Sequence, residues 1–138
     1  MAIAKSGAGR QIGDGNLDET LLGVQPAPQT ATTTDTLTAA QILGGLLVGT
    51  AGTSAVNYTL PTVTLLEAAL TNAVKVNGTF DFTIINLGTS SGIITIVVGT
   101  GWTLVGMVTI PITTNAGSSA TFRARKTAAG AWTLYRIS

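Results

Sequence analysis

Three stretches decide how this chain reads: Thr79-Phe-Asp-Phe-Thr-Ile-Ile-Asn-Leu87, Ser119-Ala-Thr-Phe-Arg-Ala-Arg-Lys-Thr127 and Ala131-Trp-Thr-Leu-Tyr-Arg-Ile137. Phe80 and Phe82 alternate with Asp81 and Thr83, and Phe122 and Ala124 alternate with Arg123 and Arg125. A period of two is the mark of a strand with one face buried and one in water. Similar short runs lie at 46–48, 56–60, 92–98, 102–105 and 107–113, with Gly-rich turns between them. Strands recurring about every 8 to 12 residues predict an all-β fold, specifically a small antiparallel β-sandwich, jelly-roll-like.

One short helix interrupts the strands. Residues 64–71 carry Leu65, Leu66, Ala69 and Leu70 on one face, and Thr64 with Glu67 matches a capping box. Residues 38–43 have room for one helical turn, stopped by Gly44-Gly45. Residues 1–35 differ in texture, with Gly7, Gly9, Gly13 and Gly15, then Pro26 and Pro28, and no lasting periodicity. They read as an extended arm, and residues 36–138 as the β body. The arm's apolar residues, Ile12, Leu17, Leu21, Leu22 and Val24, have nothing of their own to bury against. Segments of that kind order on a partner.

Composition narrows the function. The 138 residues contain no cysteine and no histidine. Disulfide scaffolds, thiolate nucleophiles and Cys-ligated metals are thereby excluded, and the commonest general base is missing. Charged residues are 9% of the chain against about 25% in an average domain, so the surface has to be built from threonine, serine, asparagine and glycine. A net charge of +1 gives no reason to expect a nucleic acid. The longest apolar run, Ile93 to Val98, is broken by Thr95 and falls far short of the roughly 18 residues of a spanning helix, so no membrane partner is expected. The N-terminus has no signal-peptide h-region, which predicts a chain kept in the cytoplasm or carried out in an assembly.

No catalytic constellation emerges. Asp14, Asn16 and Asp18 begin like a calcium loop, but Glu19 and Gln25 stand where glycine and glutamate belong. Gly7-Ala8-Gly9 and Gly99-Thr100-Gly101 lack the continuation of a phosphate cradle and read as turns. Of the six acids, four lie in or at the edge of the arm, Glu67 is taken as a cap, and Asp81 stands alone on its strand. No enzyme activity, cofactor or metal is expected. Arg123 and Arg125 share a strand face opposite Phe122, so they lack the stacking aromatics of a single-strand binder. Pairing with carboxylates across a subunit boundary fits them better, with Asp81, Asp18 and Glu19 as candidates. The last strand is apolar on both faces, Trp132 and Leu134 opposing Tyr135 and Ile137. A strand with two apolar faces needs a second covering surface, which predicts a homo-oligomer with Arg123, Arg125, Tyr135 and Ile137 at its interface.

From Thr59 onward the chain resembles small virion proteins of tailed bacteriophages. The matching pieces are Thr59-Leu-Pro-Thr62, Phe80-Asp-Phe-Thr-Ile-Ile-Asn86, Gly99-Thr-Gly-Trp-Thr-Leu-Val-Gly106, Ala120-Thr-Phe-Arg-Ala-Arg125 and Thr133-Leu-Tyr-Arg-Ile137. The resemblance implies a compact, often trimeric β domain on the outside of a head or at a fibre end. With the arm in front, it implies a capsid decoration, or cement, protein of the outer virion surface that is assembled in the host cytoplasm. Its partners would be the major capsid protein and further copies of itself. A receptor- or glycan-binding head-fibre or tail adhesin is the alternative, with Trp102 and Trp132 as its large aromatic candidates.

Overall fold

A computed structural model of the chain describes residues 22–71, 74–112 and 117–138. The elements run β1 (Gln29–Ala31), β2 (Asp35–Thr36), α1 (Ala39–Leu43), β3 (Leu46–Gly49), β4 (Val56–Thr59), α2 (Val63–Ala69) and β5 (Thr79–Asn86). They continue with β6 (Ile94–Val97), β7 (Trp102–Val105), β8 (Thr109–Ile110), β9 (Ser118–Ala128) and β10 (Ala131–Arg136).

Up to β9 the strands alternate between two sheets. The larger has the order β1-β3-β5-β9-β10-β7 and the smaller β2-β4-β6-β8. A chain that crosses to the other sheet after every strand returns to the first in the same direction. Hence β1, β3 and β5 are parallel, as are β2, β4 and β6, whereas β8 returns to the small sheet antiparallel to β6. Parallel neighbours need a crossover connection, and here the crossover is a strand of the opposite sheet. The hairpin β9–β10 then wedges between β5 and β7, antiparallel to β5 through β9 and parallel to β7 through β10. The fold is therefore mixed α/β, with two mixed sheets and two short helices. It replaces the antiparallel, jelly-roll-like sandwich that the strand spacing predicts. Spacing and alternation look the same whether a strand's neighbour is the next in sequence or the next but one.

Both helices lie where the chain returns from the small sheet to the large one, and they pack on each other. In α1 the Thr38 hydroxyl accepts from Gln41 N, and the Gln41 side chain accepts from Thr38 N at 2.8 Å, a complete capping box. In α2 the cap is Thr62, not Thr64, since the helix begins early enough to bury both Val63 and Leu66. Glu67, freed from capping, turns to the sheet.

The core is the layer between the sheets. The larger contributes Leu47, Phe82, Ile84, Ala120, Phe122, Ala124, Trp132 and Leu134, and the smaller Val56, Tyr58, Ile94, Ile96 and Ile110. Phe82 and Phe122, directly paired in register, stack at 5.6 Å. Gly49 sits opposite Tyr58 and Ile94, where a Cβ would come within 2.5 Å of Ile94 Cδ1. Residues 29–36, assigned by sequence to the arm and its boundary, supply one edge strand to each sheet. They are fixed by the Ala31 carbonyl, which accepts from the buried Tyr58 hydroxyl and from Thr50 N, both at 2.8 Å.

Asn86 is the polar tie across this layer. It is fully buried at the end of β5, and its Nδ2 donates to Gly92 O and Ile110 O at 2.9 Å and to Pro111 O at 3.3 Å. Its Oδ1 accepts from Gly88 N at 2.7 Å. Replacing it strands buried backbone groups on both sides, each costing about 1–3 kcal/mol. Asn86→Ala is therefore expected to lower unfolding free energy by about 3 kcal/mol, read as a drop in the urea midpoint. A loss below about 1 kcal/mol would show that the tie is dispensable.

Candidate functional site

The inward face of the large sheet is committed to the core, so its chemistry lies on the other face. Register places Asp81, Arg123, Tyr135 and Val105 in one row across β5, β9, β10 and β7. The next row towards the start of β5 holds Thr79, Arg125, Thr133 and Thr103. On the other side, Leu46, Thr83 and Thr121 form a row that Ile137 joins through its backbone bond to Thr121. Beyond it lie Thr30, Val48, Ile85 and Ser119. The four residues that sequence assigns to a subunit interface, Arg123, Arg125, Tyr135 and Ile137, are thus brought together on one surface.

Within that surface the charges are satisfied locally. Arg123 binds Asp81 of its own chain in a fork, Nε to Oδ1 at 2.8 Å and Nη2 to Oδ2 at 2.9 Å. The guanidinium holds the Asp81 carboxyl below its ordinary range, and the carboxylate raises Arg123 in turn. Arg125 donates twice to the Tyr135 hydroxyl, at 3.0 and 3.2 Å, and once to Asn77 Oδ1 at 2.6 Å. Its guanidinium lies 5.8 Å from the Tyr135 ring centre. Between these groups and the apolar rows, Thr83 and Thr121 share a hydrogen bond of 2.9 Å. What results is a face of threonine and aliphatic side chains with one ion pair, Arg123 to Asp81, and one further cation, Arg125, held by Tyr135 and Asn77.

Sequence reading missed Leu46, Val48, Thr83 and Ile85 as members of this face. The signal was present in parity: once Phe82 and Ile84 point inward, Thr83 and Ile85 point outward, but which strands lie beside β5 is a tertiary fact.

A second polar cluster joins α2 to the hairpin. Glu67 Oε1 accepts from Trp132 Nε1 and from Lys126 Nζ, each at 3.0 Å. Trp102 Nε1 donates to Pro61 O at 2.8 Å, so the two indoles, 6.1 Å apart, pin both α2 and its lead-in. The Trp132 hydrogen bond, then that of Lys126, lowers the Glu67 pKa.

The arm residues Leu22 and Val24 stand apart from this face and are almost wholly solvent-exposed. Gln25 Nε2 donates to Gly44 O at 2.6 Å, holding the chain beside the start of β3. Ile12, Leu17 and Leu21 lie outside the described residues, as do Asp18 and Glu19. Among the described residues no cluster of three potential metal ligands occurs, and no helix is long and apolar enough to cross a membrane. Comparison with family models, curated proteins and solved structures found no match.

The two lowered carboxyls set the acid behaviour. Each is deprotonated more readily in the folded than in the unfolded chain, so each contributes stability above its unfolded pKa and loses it as pH falls through the folded one. Thermal melting should therefore shift downwards as pH falls from about 5 to 2. Glu67→Gln, which keeps an acceptor for Trp132 but cannot titrate, should make that shift smaller. An equal shift in both proteins would remove Glu67 from the account.

Proposed function

We propose that this chain is a phage capsid decoration protein, a non-catalytic homo-oligomer that binds the outer surface of the head and reinforces the shell. What supports the reading, beside the resemblance from Thr59 onward, is the pairing of a rigid two-sheet body with an apolar segment that leaves it. Leu22 and Val24 are almost wholly exposed among the described residues, although residues 29–36 a few positions later are locked into both sheets. A body that carries an apolar arm can clamp neighbouring shell subunits, the arm ordering on contact and several arms acting together through effective concentration. The arm's apolar residues before Leu22, namely Ile12, Leu17 and Leu21, are the proposed shell contacts, and the virion surface is the proposed location.

The adhesin alternative requires an aromatic platform open to a glycan or receptor. Trp102 and Trp132 are both buried and spend their indole donors inside the fold. That weighs against it.

Quantitative mass spectrometry of purified particles tests the proposal. Copies comparable in number to the major shell protein are expected. A handful per particle would favour the adhesin, and absence from particles would overturn both readings. On shells stripped of this protein, a chain lacking residues 1–18 should stay folded yet no longer co-sediment. Undiminished binding by that variant would remove the arm from the interface.

A further inference from the structure

Among the described residues the two sheets have four free strand edges, and these are not equivalent. Exposed edges invite pairing with another chain, and proteins blunt them with prolines, charges or brevity. β1 is three residues long and follows Pro26 and Pro28. β2 has two residues, and its Asp35 carboxylate accepts from Thr36 N at 2.8 Å. β8 also has two residues and runs directly into Pro111. β7 has none of these devices. It is four residues long, and from Gly99 to Ile110 there is neither a proline nor a charge. Large apolar side chains stand exposed around it: Val105 at 49%, Met107 at 64% and, next in the sheet, Ile137 at 47%.

At the far side of the same sheet lies an apolar segment with no cover. Leu22 is 87% exposed and Val24 99%. Being two residues apart, they project from the same face of an extended chain. No charge occurs from Thr20 to Thr34, so burying this segment against β7 desolvates no ion.

We propose that the segment around Leu22–Val24 of one copy adds as an extra strand to the β7 edge of a neighbouring copy. Its own β7 is out of reach. Gln25 is tied to Gly44 beside β3, and a strand added outside β7 would lie five sheet spacings away, about 24 Å. Leu22 is only three residues from Gln25, about 11 Å of chain at full extension. Strand addition supplies backbone hydrogen bonds to the edge and lays Leu22 and Val24 near Val105, Met107 and Ile137. Because the donor and acceptor surfaces differ, the contact is head-to-tail, and it forms a ring where the rotation between copies closes. A ring of three agrees with the trimer that the resemblance implies. This inference deepens the oligomer of the proposed function and is independent of the shell, leaving the residues before Leu22 to reach it.

The absence of native cysteine gives a clean test on the purified full-length chain. Leu22→Cys or Val24→Cys is combined with Thr103→Cys or Val105→Cys and oxidised. At least one of the four double variants should give covalent trimers on a denaturing gel, while each single variant alone stays unlinked. Mixing the matching single variants should stop at a covalent dimer. Light scattering should give three chain masses for the intact protein and one for a chain lacking residues 1–24. Four unlinked double variants overturn the proposal. So do self-linking of Val105→Cys alone, a monomeric full chain, or a truncated chain that keeps the full mass. None of these measurements involves a capsid, so their failure leaves the decoration reading standing, and failure to find the chain in particles leaves this one standing.

Discussion

The buried carboxamide of Asn86 is the point on which the two layers depend. Apolar packing between the sheets is non-directional and would tolerate sliding. Asn86 fixes the relation of β5 to the lead-in of β6 and to β8 by donating to Gly92, Ile110 and Pro111 carbonyls while accepting from Gly88. In a dry layer such a group is an asset only when all its bonds are made, and here both ends of the amide are used. The Tyr58 hydroxyl plays the matching part at the other side, tying β4 to β1 through Ala31.

With these ties in place, the alternation of strands between sheets explains much of the rest. It makes β1, β3 and β5 parallel in one sheet and β2, β4 and β6 parallel in the other, and puts both helices at the returns from the small sheet to the large. It also leaves the large sheet with edges of different character. The hairpin β9–β10 supplies the antiparallel part of the large sheet, and β8 that of the small one. Glu67 then links that hairpin to α2 through Trp132 and Lys126, so the one sizeable helix is anchored by side chains and not by length. The outer face collects what is left: threonines, aliphatic side chains and arginines already partnered within the chain. In the proposed function this body tends to meet another protein surface. The unblunted β7 edge and the uncovered Leu22–Val24 segment give that tendency a direction.

The strands from Leu46 to Arg136 were legible in sequence, as was the inward set Phe80, Phe82, Phe122, Ala124, Trp132 and Leu134, because alternation is a local property. The turn at Thr38–Leu43 was also readable from the Gly44-Gly45 stop that follows it, though not its capping box. The cap of α2 was not. The pattern Thr64-x-x-Glu67 is locally attractive, but burial of Val63 and Leu66 moves the start to Thr62, and Trp132, distant in sequence, claims Glu67. Gln29–Ala31 and Asp35–Thr36 were missed as strands because two or three residues carry no periodicity and gain their structure wholly from β3 and β4. Arg123 with Arg125, and Tyr135 with Ile137, share a face by parity within their own stretches, whereas the adjoining of the two pairs and the partner of Arg123 were a matter of which strands lie beside β9.

The sequence by itself determined a chain without thiol or imidazole chemistry, poor in charge, built of short half-buried strands, with an apolar segment before them. Tertiary structure alone decided the pairing. A side chain's inward or outward direction follows from its own backbone with a period of two, whatever the neighbouring strand. The identity and direction of that neighbour depend on contacts between residues tens of positions apart, such as Val56 with Ile94 or Leu46 with Thr83. No local pattern encodes them, and so the same strands that read as an antiparallel sandwich wind instead as a mixed, two-sheet coil closed by a hairpin.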